Sequence, residues 1–476
     1  MEISDSSAPG GTEVSGVDYW SRRFGQLLAP TGSQAAWPAG DVIGLEHEYR
    51  VLVDGCPVDF RGVIHELGLG RPRLDPADLN AYRLATGAVL TADGAEAEIA
   101  LSPAFVRPGC GRRLAATAGS ERRALQARLS CRARLEGYST HLSVAVSPAL
   151  VEAMAKLYAA SFSAALMLLM DSVCSPGLLV RPRPTRLELG GEFVDGDRLV
   201  TAAMFAVGSV RACQRLLEGG ARQVAFPESL VVGIQRDDQR YGWFVCRNAF
   251  ETDLYEMGRA TLLKTQHGSA ITAQTHLERC WAAARGTLVG DVSEVELEQV
   301  DSVVSGSQPL PAPSPWSGDT PPSYTGAAAS DGVAQAFGHA VRTHSRPGYE
   351  LAPVMLTWDR AVFVVSTAKR DRLAFASVPS PLIVNFSALL DSGALDETIN
   401  SYLGLPARVR RLGPPAATAR PGLYDRLGSR ARLLVPERAP RAKWSTRRTL
   451  TSSVARRRWL VKARFATGVR GSGGHP

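Results

Sequence analysis

Four short stretches of this sequence place acidic, basic and imidazole side chains at a two-residue spacing inside apolar runs. The first, "IGLEHEYRVLV", carries Glu46 and Glu48; the second, "GAEAEIALSP", carries Glu96 and Glu98. In "YSTHLSVAVSP" the polar positions are Ser139, His141 and Ser143, and in "PTRLELGGEF" they are Arg186 and Glu188. Successive side chains on a strand point to opposite faces, so residues of equal parity share one. Glu46, Glu48 and Arg50 then stand opposite Leu45, His47, Tyr49 and Val51. The other three stretches repeat the pattern, with Leu142, Val144 and Val146 behind His141, and Leu187 and Leu189 behind Glu188.

If the four strands lie in one sheet, one face packs on helices. The other carries Glu46, Glu48, Glu96, Glu98, Glu188, one histidine and arginines. Carboxylates held that close raise one another's pKa and destabilise the fold unless a cation neutralises them. Oxygen-rich sets of this kind suit hard divalent ions, Mg²⁺ or Mn²⁺, which in turn bind phosphate oxygens. Any antiparallel sheet with one wet face shows the same alternation. The weight therefore lies in the repetition across four segments and not in any one pair. His47 points to the apolar side and reads as structural.

The elements that must position these residues are those of an ordinary globular chain. It has 476 residues, 45% hydrophobic and 21% charged, enough for two or three domains and a large core. The most apolar helical run, Leu157 to Met170, is shorter than the ~20 residues of a membrane span and reads as a core helix. No N-terminal stretch combines a basic start, an apolar centre and a small-residue cleavage site. The seven cysteines are scattered, with no CxxC pair, which argues against a zinc site and for reduced thiols. A cytoplasmic protein is the expectation. Neither GxxxxGK[ST], nor GxGxxG at a strand–helix junction, nor GxSxG is present, so P-loop, Rossmann and serine-hydrolase readings lack support.

Composition divides the chain. Residues 1–40 read as a flexible leader, and strand and helix signals alternate through a catalytic domain over 41–303. A Pro/Ser/Gly-rich linker follows at 304–332. A small C-terminal α/β domain at 333–405 shows β-like runs "AVFVVS", "RLAFAS" and "PLIVNF", then a helical "SALLDSGALDETINSYLG". Residues 401–476 hold 18 Lys+Arg against 2 Asp+Glu, a local +16, so the rest of a +8 chain is −8. That basic tail, 406–476, offers a surface to nucleic acid or another anionic partner. Only five lysines occur in the chain, and GC-rich codon usage that enriches Arg is the favoured account of the tail.

In order and wording the segments resemble the glutamate–cysteine ligase branch of the glutamine synthetase superfamily, the carboxylate–amine ligases. "GLEHEY" is similar to that family's opening Gly-x-Glu-x-Glu strand, and "GAEAEIALSP" to its second strand. "STHLSVAV" keeps the first histidine of a Thr-His-Val-His-Val strand and has Ser143 for the second. "TRLEL" followed by Gly190 stands at an Arg-x-Glu-x-Arg strand. "CRNAFETDLYEMGR", 246–259, looks like the segment that opens the last helical region. The resemblance covers about residues 41–290.

It implies an α+β fold: a curved, mainly antiparallel sheet forming a metal and ATP funnel, with helices outside. ATP would phosphorylate a substrate carboxylate, and an amine would displace the phosphate to form an amide of γ-glutamyl or peptide type. Small-molecule acid and amine substrates, or a peptide, are the partners implied. Carried over residue by residue, Glu46, Glu48, Glu98 and Glu188 become ligands of Mg²⁺ or Mn²⁺. His141 and Arg186 become catalytic, and His141, Ser143 and Arg186 contact the nucleotide; Glu96 sits on the right face but aligns less securely. Gly190 replaces the Arg that steadies the transferring phosphoryl group, a loss worth about 10³-fold or more in rate in other phosphoryl-transfer enzymes. Arg181, Arg183 and Arg186 are the nearby substitutes. A divergent member that only binds through its basic tail, and an amidohydrolase on the same fold, are the alternatives.

Overall fold

The computed structural model describes residues 36–403 except 70–72, 76–77, 85–86, 171–174, 176, 220–225, 238–241, 311–342 and 368–372. Most of the leader, much of the linker and the whole 406–476 tail lie outside the described residues.

A twelve-stranded sheet organises the fold. Its strands are β1 (Val42–Val53), β2 (Cys56–Val58), β3 (Arg73–Asp75), β4 (Asp78–Arg83), β5 (Val89–Asp93), β6 (Glu96–Ala100), β7 (Ala104–Phe105), β8 (Ala133–Ala145), β9 (Gly177–Arg183), β10 (Arg186–Glu192), β11 (Ile234–Asp237) and β12 (Gly242–Cys246). They run in the order β11-β12-β9-β10-β8-β1-β6-β5-β4-β3, with β2 and β7 also pairing β1, and every described pairing is antiparallel. The four strands expected to share a sheet are therefore direct neighbours, β10-β8-β1-β6.

Turn chemistry sets the registers. Asp54 and Gly55 both take positive φ, 51° and 80°, the type I′ geometry that matches strand twist and closes β1 onto β2. Gly94, at φ 69°, opens the two-residue turn that places Asp93 opposite Glu96.

Helices cover the apolar face. They are α1 (Phe60–Val63), α2 (Cys110–Gln126), α3 (Val151–Ser161), α4 (Ser163–Met170), α5 (Gly196–Leu217), α6 (Ala273–Arg285) and α7 (Glu294–Val304). The middle of α5, Leu199 to Cys213, is buried on every side, as the apolar composition of that segment requires. With Leu45, Leu142, Val144, Leu187 and Leu189 it forms one continuous core. The run read as a single core helix is broken at Phe162 into α3 and α4, bent by 69°, and α4 is wholly buried. Among the described residues no single helix is long and apolar enough to cross a membrane. After 246–259 a short hairpin, β13 (Leu262–Lys264) and β14 (Ala270–Thr272), precedes α6, so that segment does not lead straight into helix.

A smaller sheet follows, β15 (His344–Arg346), β16 (Tyr349–Leu356), β17 (Arg360–Thr367) and β18 (Leu373–Pro379), with α8 (Ile383–Asp391) and α9 (Asp396–Tyr402). The stretch 381–386, read as a strand, is instead a 3-10 turn running into α8. Pro381 sits in the first turn, where its missing N–H costs nothing. Ile383, Phe386 and Leu390 are buried at helical spacing. A second core cluster joins this segment to the large sheet: Trp358, Phe363 and Phe386 pack with Trp37, Val42 and Ala145.

Candidate metal and phosphate site

Val42, Gly44, Glu46 and Glu48 share one face of β1, and Ser139, His141, Ser143 and Ala145 share the matching face of β8. Where Val42 and Ala145 stand, that face is apolar and is covered by the small sheet. Beyond them it turns polar, and the register stacks the chemistry in rows.

One row reads Glu188, Ser143, Gly44; the next reads Gly190, His141, Glu46; the third reads Glu192, Ser139, Glu48, Glu98, Thr91. Past Glu48 the ladder shifts, with Tyr138 as the extra residue on β8. Arg50 then pairs with Glu136 at 3.6 Å, beyond the acidic rows.

Two triads of potential ligand atoms converge on this face. Glu48, Asp93 and Glu98 present oxygens within 4.8 Å of one another, and Glu46, His141 and Glu188 do the same with two oxygens and a ring nitrogen. Ser139 Oγ donates to Glu48 Oε2 at 2.7 Å, fixing that carboxylate. The first triad is an all-oxygen set of the kind hard divalent cations take. Burial, and then repulsion from Glu48, raises the neighbouring Glu96 carboxyl above its ordinary pKa.

The second triad is built differently. Glu188 is fully buried, with Arg181 Nη1 at 2.7 Å, Arg183 Nε at 3.0 Å and His141 Nδ1 at 3.3 Å. Burial alone would raise the Glu188 carboxyl, but Arg181, His141 and Arg183 together hold it well below the usual carboxylate range. A carboxylate already compensated by two guanidinium groups has little charge left for a metal. The donor chemistry thus fits a divalent ion at Glu48, Asp93 and Glu98, and fits it poorly at Glu188.

His141 bridges the two regions, its Nδ1 3.6 Å from Glu46 Oε2. Its ring lies over Gly190, where an added β-carbon would come within 2.9 Å of His141 Cδ2. The position at which an Arg was expected is thus occupied, in space, by this imidazole.

Beside the acidic rows stands a basic patch. Arg181 pairs with Glu188 across β9 and β10, and Arg183 faces Arg186 in the same register. The Arg186 side chain is only 14% exposed, and its Nε and the buried Ser143 hydroxyl have no hydrogen-bond partner among the described residues. Buried donors of this kind suit a phosphate or carboxylate oxygen. His47, on the other parity, is buried against Tyr49 and Phe193, and burial pulls its pKa down to about 3.

Asp93 was missed by the sequence reading, although its place before the Gly94 turn and opposite Glu96 was a usable signal. Trp358 and Asp359 were missed as well. They reach the site from the β16–β17 hairpin, and nothing local in sequence announces it.

The sequence matches no protein-family model and no curated protein. Solved structures that partly match this chain include the complex between the prokaryotic ubiquitin-like protein Pup and its ligase PafA, at TM-score 0.36 and 12% identity, over 56% of this chain and 64% of that one. Another is the Pup ligase PafA in complex with ADP, at TM-score 0.30 and 13% identity, over 52% and 63%. The chain spans under two thirds of the length of either, and at such scores neither likeness bears on activity.

Proposed function

We propose that this chain is an ATP- and divalent-metal-dependent carboxylate–amine ligase. The observation that carries this reading is the register of β10-β8-β1-β6. It gathers the motif residues of four separate segments onto one face, with carboxylates at one side and arginines at the other. Such a charge split matches a metal–polyphosphate, whose cation end and anion end need opposite partners.

In this reading Glu48, Asp93 and Glu98 hold the ion, with Glu46 at the border. A bound Mg²⁺ or Mn²⁺ would supply charge neutralisation of phosphate oxygens. Arg186 and the Ser143 hydroxyl receive an anionic group, and His141 sits between the two halves. The γ-phosphoryl group passes to a substrate carboxylate oxygen with ADP leaving. An amine nitrogen then attacks the acyl carbon, the carbon–oxygen bond to phosphate breaks, and the amide forms. Glu188 serves to anchor Arg181 and Arg183, a different role from the ligand implied by the family resemblance.

The test is isothermal titration of a non-hydrolysable ATP analogue, with and without Mg²⁺, into the wild type and into Glu48→Gln and Glu98→Gln. Binding that requires Mg²⁺ and weakens at least tenfold in both variants is expected. Analogue binding that ignores Mg²⁺ and both substitutions would sink the proposal.

Gly190 favours a second reading, in which metal and nucleotide bind but phosphoryl transfer is impaired. Turnover of ATP in the presence of mixed acids and amines separates the two. Amine release from an amide with no ATP consumed would point to the hydrolytic alternative.

A further inference from the structure

The hairpin between β16 and β17 brings two side chains of the small sheet to the edge of the polar face. The six-membered ring of Trp358 stands over Gly44, where a β-carbon would lie 3.1 Å from it. Its indole N–H donates to Thr185 Oγ1 at 3.0 Å, and its carbonyl accepts from Trp37 Nε1 at 3.2 Å. Trp358 is 8% exposed and belongs to the second core cluster, so it is a fixed part of the fold. The Arg186 guanidinium lies 5.4 Å above its ring.

Asp359 is the opposite case. Its side chain is 75% exposed and meets Arg186 Nη1 only at 3.5 Å. Arg186 is thus a nearly buried cation held by a rigid aromatic surface and screened by one loosely held carboxylate. An ion pair of that exposure and length is weak and exchangeable, whereas a cation over an indole keeps its position without losing its charge.

We infer that Trp358 is a positioning residue for Arg186, and that Asp359 is an internal counter-ion which an anionic group of the ligand displaces. The group is a phosphate or a carboxylate oxygen, the two anions Arg recognises in the same way. The inference rests on the proposed ligase reading for the identity of the whole ligand, but not for the anion contact itself. It makes the small sheet part of the site and not merely a cover.

The experiment measures the affinity of inorganic phosphate and of acetate, each as the sole probe at constant ionic strength, by thermal shift and titration calorimetry on the full chain. Asp359→Asn is expected to tighten one or both by roughly 2- to 5-fold, the scale of an exposed ion pair removed. Arg186→Gln should abolish the effect, and Trp358→Ala should weaken binding by about tenfold. Should Trp358→Ala not fold, Trp358→Phe keeps a ring under the guanidinium but loses the Thr185 bond, and a loss of roughly 3-fold is expected. Tightening for phosphate alone, or for acetate alone, identifies the source of the anion and supports the inference either way.

No anion binding in the wild type and in Asp359→Asn, or affinities indifferent to all the substitutions, would overturn it. Mg²⁺-dependent ATP-analogue binding that persists in that event leaves the ligase reading standing. Anion binding that responds as expected in a protein with no affinity for the analogue overturns the ligase reading alone.

Discussion

Gly190 and His141 are register partners across β10 and β8, and the imidazole fills the space a side chain at 190 would take. The missing side chain and the placed ring are two halves of one arrangement. A larger residue at 190 would drive His141 from between Glu46 and Glu188.

That coupling is measurable. Gly190→Ala gains about 0.5–1 kcal/mol from the lower entropy of the unfolded chain, but the clash costs about 1–3 kcal/mol in a packed site. A net loss of about 1 kcal/mol in chemical denaturation is expected. It should vanish when Gly190→Ala is made in a His141→Ala background, a coupling readable from the double-mutant cycle. Equal effects in both backgrounds would show that the ring moves freely.

Glu188 is expected to make the fold acid-sensitive. Its folded pKa lies well below the ordinary 4.5, so its stabilising contribution is full above 4.5 and is lost as pH falls through the lower folded value. Wild-type stability should therefore drop on acidification below about pH 4.5, and Glu188→Gln should flatten that limb. At neutral pH the same substitution leaves Arg181 and Arg183 without their counter-charge, at a cost of about 3–5 kcal/mol. An unchanged acid limb in the variant would exclude Glu188 as its origin.

Asp93 provides a direct metal test because it belongs to the all-oxygen triad and not to the triad that holds Glu188. Mn²⁺ is expected to raise the melting temperature of the wild type, and Asp93→Asn to weaken that binding by roughly 30-fold or more, the order seen when a charged partner is removed. Calorimetric titration of Mn²⁺ alone checks it. If Glu188→Gln weakens Mn²⁺ more than Asp93→Asn does, the ion sits in the other triad.

Arg211 ties α5 to the start of β1. Its guanidinium donates to Gly40 O at 2.8 Å and Thr287 O at 3.0 Å, and meets Asp41 at 2.9 Å and Asp291 at 2.8 Å. Arg211→Met should cost about 3 kcal/mol, two charge-assisted bonds' worth. Lys at 211 should recover only part of that, because it lacks the fork that reaches both carbonyls. Full recovery by Lys would mean that only the charge matters.

Parity alone made the polar face legible before any coordinates: Glu46, Glu48, Glu98, His141 and Glu188 do share it, on neighbouring strands. Strand period is fixed by backbone geometry, so face assignment survives without knowledge of partners. What each carboxylate touches did not follow, because the arginines that neutralise Glu188 come from the next strand through a register no local pattern specifies. The misread at 381–386 has a similar cause: a six-residue apolar run fits strand and buried helix equally, and only Pro381 at its head argued for helix. Trp358 was beyond reach for a simpler reason. Its contact with Trp37 joins residues 321 positions apart.

That separation has a consequence during synthesis. At roughly 5–20 residues per second, the ribosome needs roughly 16 to 64 s to travel from Trp37 to Trp358. Throughout that interval Trp37 and Val42, joined by Ala145 once it is made, have no small sheet to pack against, and Gly44 lies bare. The nascent chain thus carries an exposed greasy edge on its central strand for up to about a minute. Holdase chaperones would recognise such an intermediate, and a stop codon before 358 would leave it permanently sticky.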